Sequence, residues 1–244
     1  MELTTKKTVA ELVVQNYKAA DVFKKYGIDF CCGGKIPLEE ICMKKNIDLD
    51  RIHADLLALD LEFEDKENYE SWPLDELVDH IIAKHHSYVS ENLPLISQYA
   101  EKVARVHGHH RPETIEIRNQ FSTLSQELTS HMMKEERILF PFIKALVYAD
   151  RQGQSSPVPP FGSVANPVSM MEHEHDTAGS LVKEISALSD NYTPPPEACN
   201  TYRVLYYKLE EFEGDLHKHI HLENNILFPK AVQLEKQLEQ KINN

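Results

Sequence analysis

Glycine is scarce in this chain, at 8 of 244 residues. β-branched residues do not alternate with polar ones over any sustained stretch, so strands and hairpins have little to be built from. No apolar run reaches the roughly 18 residues a membrane-crossing helix needs. The opening "MELTTKKTVAELVV" lacks the long apolar segment of an export signal. There is no basic block, and the formal charge is −13, which argues against nucleic acid and anionic membranes as partners. Cysteines number 4, too few for a disulfide scaffold. Without an export signal they are expected to stay reduced in a cytoplasm. What is there is 41% hydrophobic residues, enough for a true core, and 13 histidines gathered in a few clusters. The length suits one mid-sized domain with a small appendage.

The pattern is helical almost throughout. Thr8 and Glu11 have capping-box spacing. Gly27 can end the stretch after "KAADVFKKY", "CCGGK" is a turn, and Pro37 can open the next helix. The acidic stretch "DLEFEDKENYESW" reads as a linker. A small helical domain over residues 1–65 is therefore expected, followed by a larger one over 66–244. In the second, four long helices are predicted. They run from about Leu74 to Val106 with a kink at Pro94, from Glu113 to Tyr148, from Asn166 as N-cap to Leu188, and from Cys199 to the end. Helices of that length joined in sequence argue for an up-down bundle.

One phrase is written twice. "HMMKEERILFP" starts at His131 and "HIHLENNILFP" starts at His219. In each, a His precedes a Glu by four residues on an apolar stripe. The stripes are Leu124, Leu128, His131, Glu135, Ile138 and Phe212, Leu216, His219, Glu223, Ile226. Both advance by threes and fours, the signature of a buried helix face. A buried unpaired carboxylate costs several kcal/mol. One such pair is explained by a His–Glu hydrogen bond in the core. Two in matching frames point to a bound cation.

The other two helices offer further ligands. His175 shares a stripe with Val168, Met171 and Val182, whereas His173 falls on the side of Thr177, Ser180 and Glu184. On the first helix, periodicity cannot choose between His85 and His86. Four His and two Glu exceed what one tetrahedral zinc takes. Two metals bridged by the carboxylates fit, with iron favoured and manganese next.

At these residues the chain resembles the iron–sulfur cluster repair di-iron proteins, a hemerythrin-like family with an N-terminal paired-cysteine domain. "DFCCGG", "SHMMKEERILFP", "EHDTAG", "PPPEAC" and "LENNILFP" carry the resemblance. It implies an all-α, up-down four-helix hemerythrin-like bundle preceded by a small helical domain. It further implies two iron ions held by His86, His131, Glu135, His175, His219 and Glu223, with both Glu bridging. The implied role is repair of clusters damaged by nitrosative or oxidative stress. Implied partners are damaged iron–sulfur proteins or cluster scaffold proteins, together with NO or O2, and no nucleic acid or membrane. A homodimer stays open. An oxygen- or NO-binding sensor or carrier, or an NO reductase, is the alternative.

Cys31 and Cys32 in "DFCCGG" have two readings, a redox, nitrosyl- or metal-handling thiol pair or two small buried residues ending a helix. The resemblance favours the first. The expectation is a mobile turn outside the bundle core, with a thiol pKa near or below the ordinary range.

Overall fold

The structure, a computed structural model, describes residues 7–16, 18–60 and 68–240. Four short helices come first, α1 (Val9–Gln15), α2 (Ala19–Lys25), α3 (Leu38–Lys45) and α4 (Leu49–Asp60). Thr8 Oγ1 accepts from the Glu11 N–H at 3.2 Å, and the Glu11 carboxylate accepts from the Thr8 N–H at 2.7 Å, closing the capping box. Past α2 the chain turns at Gly27, whose φ of +62° is readily adopted only without a Cβ. Pro37 caps α3 from outside the helix. The expected domain boundary near residue 65 lies outside the described residues. Of the acidic stretch, Tyr69–Ser71 forms a single tight turn.

Four long rods come next. The first is α5 (Leu74–His80), a widened π-helical turn at Ile81–His86, then α6 (Ser87–His107), which stays helical through Pro94. The second is α7 (Glu113–Lys134), a π turn at Glu135–Leu139, then α8 (Phe140–Arg151). The third is α9 (Ala165–Leu188), uninterrupted. The fourth is α10 (Asn200–Leu222), a π turn at Glu223–Leu227, then α11 (Phe228–Gln240). α6 packs on α7 and α10, and α9 packs on α7 and α10, so the rods close a ring in chain order.

The twice-written Ile-Leu-Phe-Pro now has a physical role. Pro141 and Pro229 have no N–H to donate, and their rings crowd the carbonyl one turn back. Each is the second residue after a π turn, where the wider spacing accommodates that defect. The two matching stripe residues inside these turns part ways, and Ile226 is buried as expected. Ile138, expected on the buried stripe, is 49% exposed, and Leu139 takes its place in the core.

The start of α9 departs from expectation as well. Asn166 is not its cap. The Val164 N–H instead donates to the buried Glu235 carboxylate of α11, at 2.9 and 3.1 Å to its two oxygens. A side chain distant in sequence satisfies this orphan donor, and Ser163 Oγ accepts from the next one, the Ala165 N–H, at 3.2 Å.

The bundle core has two large parts and a third small one of Leu146, Ala149 and Leu238. One large apolar cluster includes Val89, Ile96, Phe121, Leu124, Val182 and Phe212. The other includes Leu77, Ile81, Phe140, Ile143, Met171 and Phe228. The polar residues of the stripes lie at the waist between them. Val9, Leu12, Phe23, Leu38, Ile52 and Leu56 of the small helices belong to the first cluster. The N-terminal segment therefore shares a core with the bundle.

Candidate metal centre

The three π turns sit beside the stripe histidines. They end at His86 and begin at Glu135 and Glu223. His131 and His219 each stand one turn ahead of their Glu. His175 enters from the regular helix α9. All six side chains are buried, and both carboxylates are 0% exposed.

They form two interlocked groups. His86, Glu135, His219 and Glu223 bring their ligand-type atoms within 4.8 Å of one another, and so do His131, Glu135, His175 and Glu223. Both carboxylates belong to both groups. His86 Nε2 is 3.3 Å from Glu135 Oε2, and His131 Nε2 is 3.2 Å from the same oxygen. His175 Nε2 is 3.1 Å from Glu223 Oε2, and His219 Nε2 is 3.0 Å from Glu223 Oε1.

Close approach is only partly matched by hydrogen bonding. Both oxygens of Glu135, Oε2 of Glu223 and Nε2 of His86 have no hydrogen-bond partner, although all are buried. Such groups are costly unless something else satisfies them. Only His219 Nε2 with Glu223 Oε1 and His131 Nε2 with His175 Nε2 bond within the set, each at 3.0 Å, and the buried atoms left over converge as a cation requires. Four imidazole nitrogens and two shared carboxylates are a donor set that suits iron.

Outer partners aim the rings. His86 Nδ1 meets Glu136 Oε1 at 2.8 Å, His131 Nδ1 meets Glu174 Oε2 at 2.9 Å, and His175 Nδ1 meets Asn224 Oδ1 at 2.8 Å. An Nδ1 proton given to each acceptor leaves the Nε2 lone pair facing inward, the usual arrangement around a ligating imidazole. Each outer partner is the immediate sequence neighbour of one inner residue yet serves a histidine on a different rod. That adjacency was the available signal for them, but only packing shows which ring each one reaches.

The electrostatics are those of a cation-hungry pocket. Burial and Glu223 push the Glu135 carboxyl up, but His131 and His86 outweigh them and hold it below its ordinary value. Burial likewise opposes ionisation of Glu223, yet His219, His175 and His86 hold it well below the carboxylate range. Burial works against charge on His86, but Glu135 and Glu223 raise it to about 10. The same contest, dominated on the raising side by Glu135, brings His131 to about 9.

His85 and His173 are elsewhere. His85 is buried, but its Nδ1 meets Asp215 Oδ1 at 2.9 Å, and its ring stacks on His219 at 5.7 Å. His173 is exposed. The histidines of the "HGHH" stretch belong to neither group.

Comparison with known proteins points to a cation-binding helical domain. The hemerythrin HHE cation binding domain matches residues 77–231, and the ScdA_N domain of unknown function (DUF542) matches residues 5–60. A protein of Cronobacter sakazakii named "Iron-sulfur cluster repair protein YtfE" is 43% identical, over 93% of this chain and 97% of its own. Proteins of that name from Musicola paradisiaca and Escherichia coli O81 are 40% and 42% identical, over 93% and 92% of this chain and 96% of each relative. The chain belongs to the YtfE family. Its fold is the hemerythrin-like helical bundle with a small helical region ahead of it, and all six inner residues lie within the cation-binding match.

Cys31 and Cys32 lie in the other match. They stand apart from the six, but the turn expected to be mobile and outside the bundle core is docked, and Cys31 is buried in the core cluster it shares with the bundle. Phe30 is buried, with its ring set edge-on to His217 and His221 of α10 at 5.8 and 6.1 Å. Its carbonyl accepts from Asn225 Nδ2 at 3.3 Å. Asn225 is two residues beyond Glu223, so the paired Asn of "LENNILFP" has two jobs. Asn224 orients His175, and Asn225 holds the cysteine turn. The turn docks because burying Phe30 is worth about 2 kcal/mol or more. Nor is the Cys31 thiol easily ionised. The hydrogen bond with Cys32, then burial, raises it well above the ordinary thiol range. Among the described residues no helix is long and apolar enough to cross a membrane.

Proposed function

We propose that this protein repairs iron–sulfur clusters damaged by nitrosative or oxidative stress, working from a carboxylate-bridged pair of irons. The relatives' name gives the role its direction. The observation that supports the chemistry is the sharing of two buried carboxylates, three of whose four oxygens lack a hydrogen-bond partner, between two His-pair groups. His86 and His219 would hold one iron and His131 and His175 the other, with Glu135 and Glu223 common to both. Bound there, the irons supply a site for NO or O2 and a source of iron.

The chain's own residues supply the rest. Glu136, Glu174 and Asn224 fix ring orientation. The two apolar clusters above and below keep the waist shielded. The reading divides the chain into a small helical domain, 1–65, that presents Cys31 and Cys32 as the working thiols, and a di-iron bundle, 66–244. Clients are damaged iron–sulfur proteins or cluster scaffold proteins in a reducing cytoplasm.

The test is metal content with a Mössbauer spectrum of protein purified without added metal, and a cluster-repair assay on the same samples. About two irons per chain with the signature of a bridged pair, and restored activity of a damaged iron–sulfur enzyme, are expected. One tetrahedral zinc in their place, or no repair at full iron loading, rejects the proposal.

A further inference from the structure

Outside the bundle waist, one other group of ligand-type side chains converges. Asp29, Cys31 and Cys32 bring a carboxylate oxygen and two sulfurs within 4.8 Å of one another. The two sulfurs are 3.8 Å apart, and Cys31 Sγ is 3.3 Å from Asp29 Oδ1. A disulfide needs about 2.05 Å, so the pair is not bonded. Two thiolates bound at about 2.3 Å to one tetrahedral ion stand roughly 3.8 Å apart.

The local backbone builds this spacing. Asp29 Oδ1 accepts from the N–H groups of Cys31 and Cys32, at 2.9 and 3.0 Å, which folds the carboxylate back over both cysteines. Phe30, between them in sequence, is buried the other way and anchored by Asn225. The small residues around the group keep it open. A Cβ at Gly33 would come 3.2 Å from Asp29 Oδ2, and one at Gly179 of α9 would come 3.7 Å from Cys32 Sγ. Cys31 is buried, but Asp29 is exposed and Cys32 half-buried, so an ion has a path in and out on their side. Among the described residues no lysine or arginine forms an ion pair with Asp29. Lys24 and Lys35, to either side in sequence, pair with Glu213 and Glu172 at 3.0 and 2.8 Å.

We infer that Asp29, Cys31 and Cys32 form a second metal site, a three-ligand, exchangeable site for one thiophilic divalent ion of the Fe2+ or Zn2+ class. Three protein ligands leave a fourth position for a solvent or client ligand, as in sites that exchange rather than merely brace. Thiolates select such ions over Mg2+ or Ca2+. Binding converts each thiol to thiolate, with its proton released to solvent and no change in oxidation state. A use of this site as a surface station for iron bound for a damaged cluster rests on the repair reading. The metal site itself does not.

The test uses the full chain, thiols reduced and verified by thiol titration, with the bundle centre already filled with iron. Anaerobic titration with Co2+ should add one ion per chain with thiolate-to-cobalt charge-transfer absorption. Cys31→Ser and Cys32→Ser should each abolish that absorption, and Asp29→Asn should weaken binding at least tenfold. Cys42→Ser, at a buried position in α3, should change neither. Should a variant fold poorly, X-ray absorption of Zn2+ added to the wild type decides. Two sulfur scatterers at about 2.3 Å support the site, and only nitrogen and oxygen scatterers overturn it. No charge-transfer band in excess Co2+, or a band that survives loss of both cysteines, also overturns it. If the wild type repairs clusters but binds no Co2+ through sulfur, the site fails and the repair reading stands. If the site forms but the double serine variant repairs at the wild-type rate, the station role fails and the site stands.

Discussion

His131 Nε2 and His175 Nε2 lie 3.0 Å apart, while the opposite nitrogen of each ring is held by Glu174 and by Asn224. Two imidazole lone pairs cannot face each other at that distance without a positive charge between them. A proton on one ring supplies it in the metal-free protein, and a shared metal centre supplies it otherwise.

That choice makes metal binding a proton-release event. His86 and His131 titrate at about 10 and about 9 in the metal-free pocket, so both are protonated at neutral pH. Loading iron at pH 7 should release about two protons per chain, and affinity should fall as the solution is acidified. Raised histidine values stabilise the metal-free fold fully below the ordinary pKa of about 6.5. That contribution is lost as pH climbs through about 9 and about 10. Metal-free protein is thus expected to lose stability from about pH 6.5 to about pH 10, and loaded protein to lose less. Titration calorimetry in buffers of different protonation enthalpy reads the proton count, and a count near zero would rule this linkage out.

The outer partners can be tested one at a time. Glu136→Gln keeps the size of the side chain but removes the carboxylate that faces His86 Nδ1. Iron affinity, measured by competition with a chelator, should fall tenfold to a hundredfold. His173→Ala, on the exposed face of α9, should leave it unchanged. Equal affinities in Glu136→Gln and wild type would show that His86 needs no outer partner.

The shared core predicts a mechanical link. Phe30→Ala empties a buried position between the cysteine turn and α10, and should cost about 3 kcal/mol. Denaturant unfolding should remain one transition, moved to lower denaturant. A shift worth less than about 0.5 kcal/mol, within the range of an ordinary surface substitution, would mean the turn is not held as described.

Much was decided locally. Apolar spacing determined the helices, because a buried face must repeat near 3.6 residues whatever it packs against. Thr8 and Glu11 determined the first cap, since both partners lie within one turn. The doubled His-x-x-x-Glu placed a carboxylate where only apolar residues belong, and that anomaly was legible without a fold. Tertiary structure decided the rest. His85 and His86 are adjacent and both buried, and only their neighbours separate them, Asp215 for one and Glu135 for the other. Of two matching stripe positions, Ile226 stayed buried while Ile138 yielded its place to Leu139, a difference set by what packs on each rod and not by the repeated phrase. Glu235 caps α9, and Asn225 pins Phe30, because a hydrogen bond takes whatever group packing delivers within about 3 Å, however far away in sequence.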